Sequence, residues 1–249
     1  PAGAEAAETR RRVLAEIATA RRLVHPDIVR VLDAGETAGA AWVAMELLAG
    51  CDLERYTRPA RLLPEAVVLQ LGERIARALA HAHGLGVVHR DIKPANVMVD
   101  WAAARVTVTD FGLARATDAE RTRTGVVLGS PAYMAPELLA GSLPSPASDL
   151  YALGVTLFQL LAGRLPHEGG SMGELLRQVA TEPAPALRAL RPELPQPLAD
   201  LVAALLAKAP AARPVGAAAL ADRLHALGLE LAPAPAGGPM SHRQGLPHA

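Results

Sequence analysis

The side chains best suited to chemistry lie in two short segments of this sequence. The first is His89-Arg90-Asp91-Ile92-Lys93-Pro94-Ala95-Asn96, and the second, fourteen residues beyond Asn96, is Asp110-Phe111-Gly112. Together they present carboxylates, an ammonium group and an amide, which are groups suited to handling a phosphoryl group and its metal ion. Chance places the five polar residues of the first segment at this spacing on the order of once in ten thousand such chains. A lone Asp91 would be read as a solvated loop carboxylate, whereas the whole set indicates a catalytic loop.

Composition narrows the class of protein. Hydrophobic residues make up 51% of the 249 residues, which supports a sizeable core and argues against disorder. Lys+Arg and Asp+Glu both number 25, so no global field favours nucleic acid or a membrane, and we expect no nucleic-acid partner. The single cysteine, Cys51, excludes a disulfide framework and fits a reducing cytosol. We therefore expect a cytoplasmic location, with any membrane anchor lying beyond the C-terminal tail.

Hydrophobic periodicity, caps and turn residues predict the elements that position the two segments. The predicted helices cover residues 4–23, 52–58, 64–83, 147–162, 172–180, 197–208 and 215–228. The predicted strands are 28–33 and 41–47, which form a hairpin around Gly35 and Gly39, and 87–88, 97–100 and 105–109, which bracket the catalytic loop. From about residue 231 the Ala-, Pro- and Gly-rich sequence predicts a flexible tail.

Further motifs extend the pattern: Ala135-Pro136-Glu137, a Ser148-Asp149-Leu150-Tyr151-Ala152-Leu153-Gly154 stretch and Ala212-Arg213-Pro214. With these, the chain resembles a bacterial-type (Hanks-type) serine/threonine protein kinase from its C helix onward, over roughly residues 10–228 and most specifically over 89–137. The resemblance implies an α+β fold of the two-lobed protein kinase type, with the N-lobe truncated to the C helix and a hairpin and a mainly α-helical C-lobe.

The resemblance also implies domain boundaries and an activity. Residues 1–48 would be a partial N-lobe with the C helix, two strands and the hinge, 49–229 the C-lobe, and 230–249 a flexible tail. The implied activity is that of an ATP-dependent protein serine/threonine kinase, which transfers a phosphoryl group from Mg-ATP to a Ser or Thr hydroxyl of a protein substrate. A homodimer for trans-autophosphorylation is a further implied partner.

The resemblance assigns a role to each polar residue of the two segments. Asp91 would accept the proton of the substrate hydroxyl or hold that hydroxyl in line with the γ-phosphate. Lys93 would place its ammonium near the γ-phosphate, at the Asp-x-Lys spacing of the serine/threonine kinases. Asn96 and Asp110 would supply hard oxygen ligands to Mg²⁺, which needs few protein ligands besides substrate oxygens.

Four residues are implied at the adenine pocket. Met45 would be the gatekeeper, the backbones of Glu46 and Leu48 would hydrogen-bond the adenine edge, and Met98 would form the apolar floor. Taken alone, each of them reads equally well as an ordinary strand residue, since a methionine is more often core filler than a ligand contact.

Regulatory residues are implied as well. Arg90 precedes Asp91 directly, as in kinases that are activated by phosphorylation, and a phosphate on Thr122 or Thr124 would pair with it. The alternative for these threonines is that they are two exposed loop residues. Phe111 would pack under the C helix and set the direction of the Asp110 carboxylate. Glu16 and Ser130 are implied to be regulatory as well. Glu16 would be the C-helix glutamate, and Ser130 stands where most serine/threonine kinases have Thr.

Three residues are implied to be structural. Glu137 and Arg213 would form a buried ion pair, and Asp149 would anchor the backbone of the catalytic loop.

The sequence departs from the family pattern before Glu16. No lysine precedes Lys93, and no Gly-x-Gly-x-x-Gly loop is present. Glu16 therefore has no lysine partner, and alone it reads as a solvated helix glutamate. We expect the chain to be a fragment of an active kinase domain. The alternative is a truncated pseudokinase that acts as a non-catalytic binding module.

Overall fold

The structure of the protein is a computed structural model that describes residues 21–37, 40–111 and 131–231. In this part of the chain the strands form two antiparallel sheets. Strand β1 (Val31–Thr37) pairs with β2 (Ala40–Met45), with one irregularity in register between Val31 and Asp33. The second sheet has the order β3 (Cys51–Asp52), β4 (Val97–Asp100), β5 (Arg105–Val108).

Helices make up most of the chain after the hairpin. The α-helices are α1 (Glu65–Gly84), α2 (Pro136–Leu139), α3 (Pro146–Ala162), α4 (Met172–Thr181), α5 (Leu187–Leu190), α6 (Gln196–Leu205) and α7 (Ala217–Leu231). Short 3₁₀ helices cover Leu53–Tyr56, Pro59–Arg61, Pro94–Asn96, Pro131–Tyr133 and Pro210–Ala212. None of the helices in the described ranges is long and apolar enough to cross a membrane.

Helix α3 is the centre of the hydrophobic core. It is apolar around most of its circumference, and thirteen of its residues are buried, which is the pattern of a helix covered on all sides. A capping box of Ser145 and Ser148 satisfies its first N–H groups, and Gly163 ends it in the left-handed region at φ 73°. Helix α1 packs against α3 and, most extensively, against α7.

The segment before the hairpin is attached to the second sheet. Val108 in β5 donates its N–H to the carbonyl of Asp27 (2.8 Å) and accepts from the N–H of Val29 (3.0 Å). The buried Asp27 carboxylate accepts hydrogen bonds from the Arg74 guanidinium, which also donates to the carbonyl of Ala104 (2.7 Å). These contacts join the start of the hairpin to helix α1 and to β5.

The hairpin and most other predicted elements are confirmed, with ends that shift by four residues or fewer. The hairpin strands continue to Thr37 and from Ala40, so Gly35 lies within a strand and not in the turn. It faces Trp42 across the ladder, and the indole occupies the space in which a Cβ at Gly35 would lie, 2.6 Å from a ring carbon.

One predicted element is wrong in type. The strand predicted at 87–88 is absent, because the N–H of Val87 donates to the carbonyl of Ala82 (2.9 Å) and closes the end of α1 instead. The short helix predicted over 52–58 is present as a 3₁₀ helix at Leu53–Tyr56. The helix predicted over 4–23, apart from its last three residues, and the tail from 232 lie outside the described residues.

A polar cluster joins α4 to the segment that follows α6. The Lys208 ammonium donates to the carbonyl of Val179 (2.7 Å) and lies 3.2 Å from Nε2 of the buried His167. Burial, with a further contribution from the nearby Lys208, lowers the pKa of His167 from 6.5 to about 4. His167 therefore stays neutral in the folded protein under mildly acidic conditions.

The low pKa of His167 predicts a pH dependence of stability. In the unfolded chain this histidine takes up a proton near pH 6.5, whereas in the folded protein it does so at about 4. The unfolded state binds more protons between these values, so the free energy of unfolding falls as pH is lowered through this window. We expect the free energy of unfolding of His167→Gln to change less steeply with pH than that of wild type, measured by urea unfolding from pH 7 to pH 4. Equal slopes in the two proteins would contradict this assignment.

The close contact between α3 and α6 predicts that adding a side chain at Gly154 lowers the stability of the protein. A Cβ there would lie 2.7 Å from Cβ and 3.3 Å from the carbonyl carbon of Leu205, so α6 would have to shift. We expect Gly154→Ala to lower the free energy of unfolding by about 1–3 kcal/mol in chemical denaturation. The matched control is Gly173→Ala in α4, where nothing lies within 4 Å of the added methyl group. It should be neutral or stabilising by about 0.5–1 kcal/mol, and an equal loss in both variants would refute the argument.

Candidate active site

The buried carboxylate of Asp149 holds the backbone of the catalytic loop. It is 1% exposed and lies in the first turn of α3, where a helix favours negative charge. Its Oδ2 accepts from the N–H of His89 and from Nε2 of His83, and its Oδ1 accepts from the N–H of Arg90, all at 2.8 Å. Arg90 has a φ of 76°, a conformation that costs energy in a residue with a side chain. The structural role predicted for Asp149 thus has the required contacts.

The loop brings Asp91, Lys93 and Asn96 together. Nζ of Lys93 lies 2.6 Å from Oδ2 of Asp91, and Nδ2 of Asn96 donates to the same oxygen (3.0 Å) and to the Asp91 carbonyl (2.8 Å). The Asp91 and Lys93 side chains are 22% and 20% exposed, so both are accessible to a small ligand. Within the described ranges, Oδ1 of Asp91 has no hydrogen-bond partner, which leaves one carboxylate oxygen able to accept from a hydroxyl.

His89 joins the catalytic loop to the second segment. It is fully buried, donates from Nε2 to the carbonyl of Thr109 (2.8 Å) and accepts at Nδ1 from the N–H of Asp91 (3.3 Å). Burial lowers the pKa of His89, although the Asp149 carboxylate opposes that shift. The neutral ring therefore has one donor and one acceptor in use. Phe111, 3% exposed, packs edge-on against this ring with centroids 4.5 Å apart.

A backbone hydrogen bond joins Asn96 to the residue that precedes Asp110. The N–H of Thr109, the residue before Asp110, donates to the carbonyl of Asn96 (2.9 Å). Because the amide nitrogen of Asn96 is engaged with Asp91, its side-chain oxygen remains as a ligand. Asp110 is exposed and has a φ of 62°, and its carboxylate has no hydrogen-bond partner in the described part of the chain.

These oxygens fit a magnesium ion. The described residues contain no group of three or more His, Cys, Asp or Glu side chains that could hold a metal ion. Mg²⁺ does not need such a cage, since it is usually bound by one or two protein oxygens together with substrate phosphates and water.

The residues predicted at the adenine pocket lie on both sheets. Met45 ends β2 and is 37% exposed, Glu46 and Leu48 follow it, and Met98 lies in β4 between the two outer strands. Gly50 then passes against β4 with a φ of 93°, where a Cβ would be 2.0 Å from the carbonyl oxygen of Val99. The convergence of Met45 and Met98 on one nucleotide stays a prediction.

The predicted ion pair between Glu137 and Arg213 is present. Nη1 and Nη2 of Arg213 each donate to one carboxylate oxygen of Glu137 at 2.7 Å, a bidentate arrangement. The arginine side chain is fully buried, lies 5.0 Å from the ring centroid of Tyr151 and donates further to three backbone carbonyls. All its donors are therefore used within the protein.

The predicted regulatory residues are only partly described. Glu16, Thr122, Thr124 and Ser130 lie outside the described residues. Of this group, the structure places Phe111 against His89, and Arg90 on Asp149 through its backbone.

The roles of His83 and Thr109 were not predicted from the sequence. Both act through contacts with residues far away in the chain, His83 with Asp149 at a separation of 66 residues and Thr109 with His89 at 20. No local spacing marks such pairs. For His83, the available signal was that three histidines, His81, His83 and His89, lie within nine residues.

The sequence and the fold are those of a known family. Residues 3–224 match the protein kinase domain family, and the chain belongs to it. It is 40% identical to the serine/threonine-protein kinase Pkn3 of Myxococcus xanthus over 227 residues, which cover 86% of this chain and 41% of Pkn3. The chain spans half or less of the length of curated relatives that it matches.

Solved kinase structures share the fold. The kinase domain of Mycobacterium tuberculosis PknI matches with a TM-score of 0.71 and 34% identity, covering 90% of this chain and 82% of that one. Rad53, solved in complex with AMP-PNP, matches with a TM-score of 0.71 and 26% identity, covering 85% of this chain and 53% of that one. The α+β kinase-like fold predicted from the sequence is confirmed.

The contacts of Asp149 predict that its loss is costly. Asp149→Ala would leave two backbone N–H groups and His83 without their acceptor, so we expect thermal and chemical denaturation to show a loss of about 3–5 kcal/mol. Asp149→Asn keeps one oxygen acceptor and should lose less. The control Asp200→Ala removes an exposed carboxylate on α6 and should stay within about 0.5 kcal/mol of wild type. Similar stabilities for Asp149→Ala and the control would contradict the anchoring role.

Proposed function

We propose that this chain contributes the catalytic loop and the metal ligands of an ATP-dependent protein serine/threonine kinase. The observation that carries the proposal is the cluster of Asp91, Lys93 and Asn96, held on the buried carboxylate of Asp149. Phosphoryl transfer requires mainly alignment of the hydroxyl and neutralisation of charge on the phosphate oxygens. This cluster contains the groups for both tasks.

Asp91 positions the attacking group. Its free Oδ1 accepts a hydrogen bond from a Ser or Thr hydroxyl of the protein substrate. It takes the proton as the hydroxyl oxygen bonds to the γ-phosphorus and the bond from that phosphorus to the departing ADP oxygen breaks. Lys93 neutralises Asp91 in the absence of substrate, and with substrate its ammonium reaches the γ-phosphate and stabilises the charge that develops on its oxygens. Asn96 keeps the carboxylate oriented through its hydrogen bond to Oδ2.

Asn96 and Asp110 would hold Mg²⁺, which when bound neutralises the phosphate charge of ATP. Met45, the backbones of Glu46 and Leu48, and Met98 would enclose the adenine ring. The match to Rad53, whose structure contains AMP-PNP, supports ATP as the donor.

The same proposal covers organisation and control. Residues 1–48 form part of an N-lobe, 49–229 the C-lobe and 230–249 a flexible tail of a cytoplasmic domain. Phosphorylation of Thr122 and Thr124 by a second copy of the protein, with the phosphate paired to Arg90, would order the site. Glu16, Phe111 and Ser130 would complete this control, in the roles that the resemblance implies for them.

The proposal is tested by Asp91→Asn in the full-length gene product. We expect phosphate transfer from radiolabelled ATP to a protein substrate to fall by about 10²–10⁴ in kcat, because the carboxylate that accepts the hydroxyl proton is lost. Isothermal calorimetry should show that Mg-ATP still binds. The matched control Asp200→Asn changes an exposed carboxylate on α6 in the same way and should retain wild-type activity.

Two outcomes would overturn the proposal. Binding of Mg-ATP by the wild-type protein without transfer to any protein substrate would favour the non-catalytic binding module. Absence of nucleotide binding would exclude both the kinase and an ATP-binding module.

A further inference from the structure

The side chain of Glu46 ties three separate segments together. Its Oε2 lies 2.8 Å from Nη2 of Arg105, and its Oε1 accepts from the backbone N–H of Arg30 at 2.8 Å. Its own N–H donates to the carbonyl of Arg30 (3.0 Å). Both carboxylate oxygens are thus engaged, one by the segment that leads into β1 and the other by the first residue of β5.

The partners of Glu46 lie on different parts of the fold. Arg30 immediately precedes the hairpin, whereas Arg105 begins β5, the strand that leads to Asp110. Glu46 itself follows β2 directly. The two side chains therefore join the hairpin to the second sheet across 59 residues of chain.

The pKa of the Glu46 carboxyl group agrees with this geometry. Burial raises the pKa of Glu46, but the hydrogen bonds from Arg105 and from the backbone of Arg30 outweigh it and leave the pKa below its ordinary value. Glu46 is therefore ionised at neutral pH and keeps both bonds.

The neighbouring side chain offers no comparable anchor. Leu47 is 98% exposed, so its side chain cannot fix the direction of the backbone at this point. An exposed ion pair contributes only about 0–1 kcal/mol to stability. A contact that fixes peptide groups can still matter for ligand binding, since a displacement of about 1 Å weakens a hydrogen bond strongly.

We propose that Arg105 is a positioning residue for nucleotide binding, which holds the Glu46 side chain so that the backbone from Glu46 to Leu48 faces the adenine edge. The inference rests on the proposed function, because that function assigns this backbone to adenine. Arg105 does not touch the nucleotide; it acts through Glu46.

The test compares Arg105→Gln, Arg105→Lys and wild type in the full-length gene product. In Arg105→Gln we expect the KM for ATP to rise about three- to tenfold with kcat within about twofold, since the lost interaction serves binding in the ground and transition states alike. Hydrogen exchange of peptides spanning 44–50 should become faster. Arg105→Lys keeps the charge and should recover most of the affinity.

The matched control is Arg164→Gln. Arg164 forms an exposed i,i+4 ion pair with Glu168 just beyond α3, with its side chain 48% exposed against 41% for Arg105. It should leave the KM for ATP and exchange in 44–50 as in wild type.

The outcomes separate the inference from the function on which it rests. If wild type phosphorylates substrate and Arg105→Gln has the same KM for ATP, the positioning role is wrong and the kinase function stands. If wild type neither binds ATP nor transfers phosphate, the proposed function fails and the inference fails with it.

Discussion

The active site depends on one buried carboxylate, that of Asp149. Two backbone N–H groups of the catalytic loop and one histidine donate to it. These bonds hold the backbone at the point where Arg90 has its positive φ. The position of Asp149 follows from the capping box that starts α3 and from the burial of that helix in the core. The geometry around Asp91 is therefore a consequence of packing at the centre of the helical unit.

Neutral groups connect this anchor to Asn96 and to the segment that leads to Asp110. His89 is held as a neutral ring between the N–H of Asp91 and the carbonyl of Thr109, and the carbonyl of Asn96 accepts from the N–H of Thr109. Backbone hydrogen bonds of this kind fix position without adding charge. Asp91 and Asp110 carry more negative charge than Lys93 offsets, so a polyanionic ligand would need the positive charge of a metal ion to bind beside them.

The elements that depend on local sequence patterns could be predicted. The α1 and α3 helices, the hairpin and the catalytic loop were predictable because periodicity, Ser145 and the fixed spacing of 89–96 are local signals. The prediction of a strand at 87–88 was wrong because β propensity does not indicate whether a neighbouring strand is available for pairing. The N–H of Val87 is bonded to α1 instead. The links of Arg105 to Glu46 and of Arg74 to Asp27 join residues 59 and 47 positions apart, and no spacing rule reports them.

The hairpin is attached to the second sheet before β1 and after β2, and the Arg105–Glu46 ion pair is one of these attachments. Before β1, Val29 is bonded to Val108 in β5, and after β2, Gly50 passes against the backbone of Val99 in β4 with no room for a side chain. The chain is thus held at both ends of the hairpin by the sheet that leads to Asp110. A shift of β4 or β5 must therefore carry the hairpin with it or break these contacts.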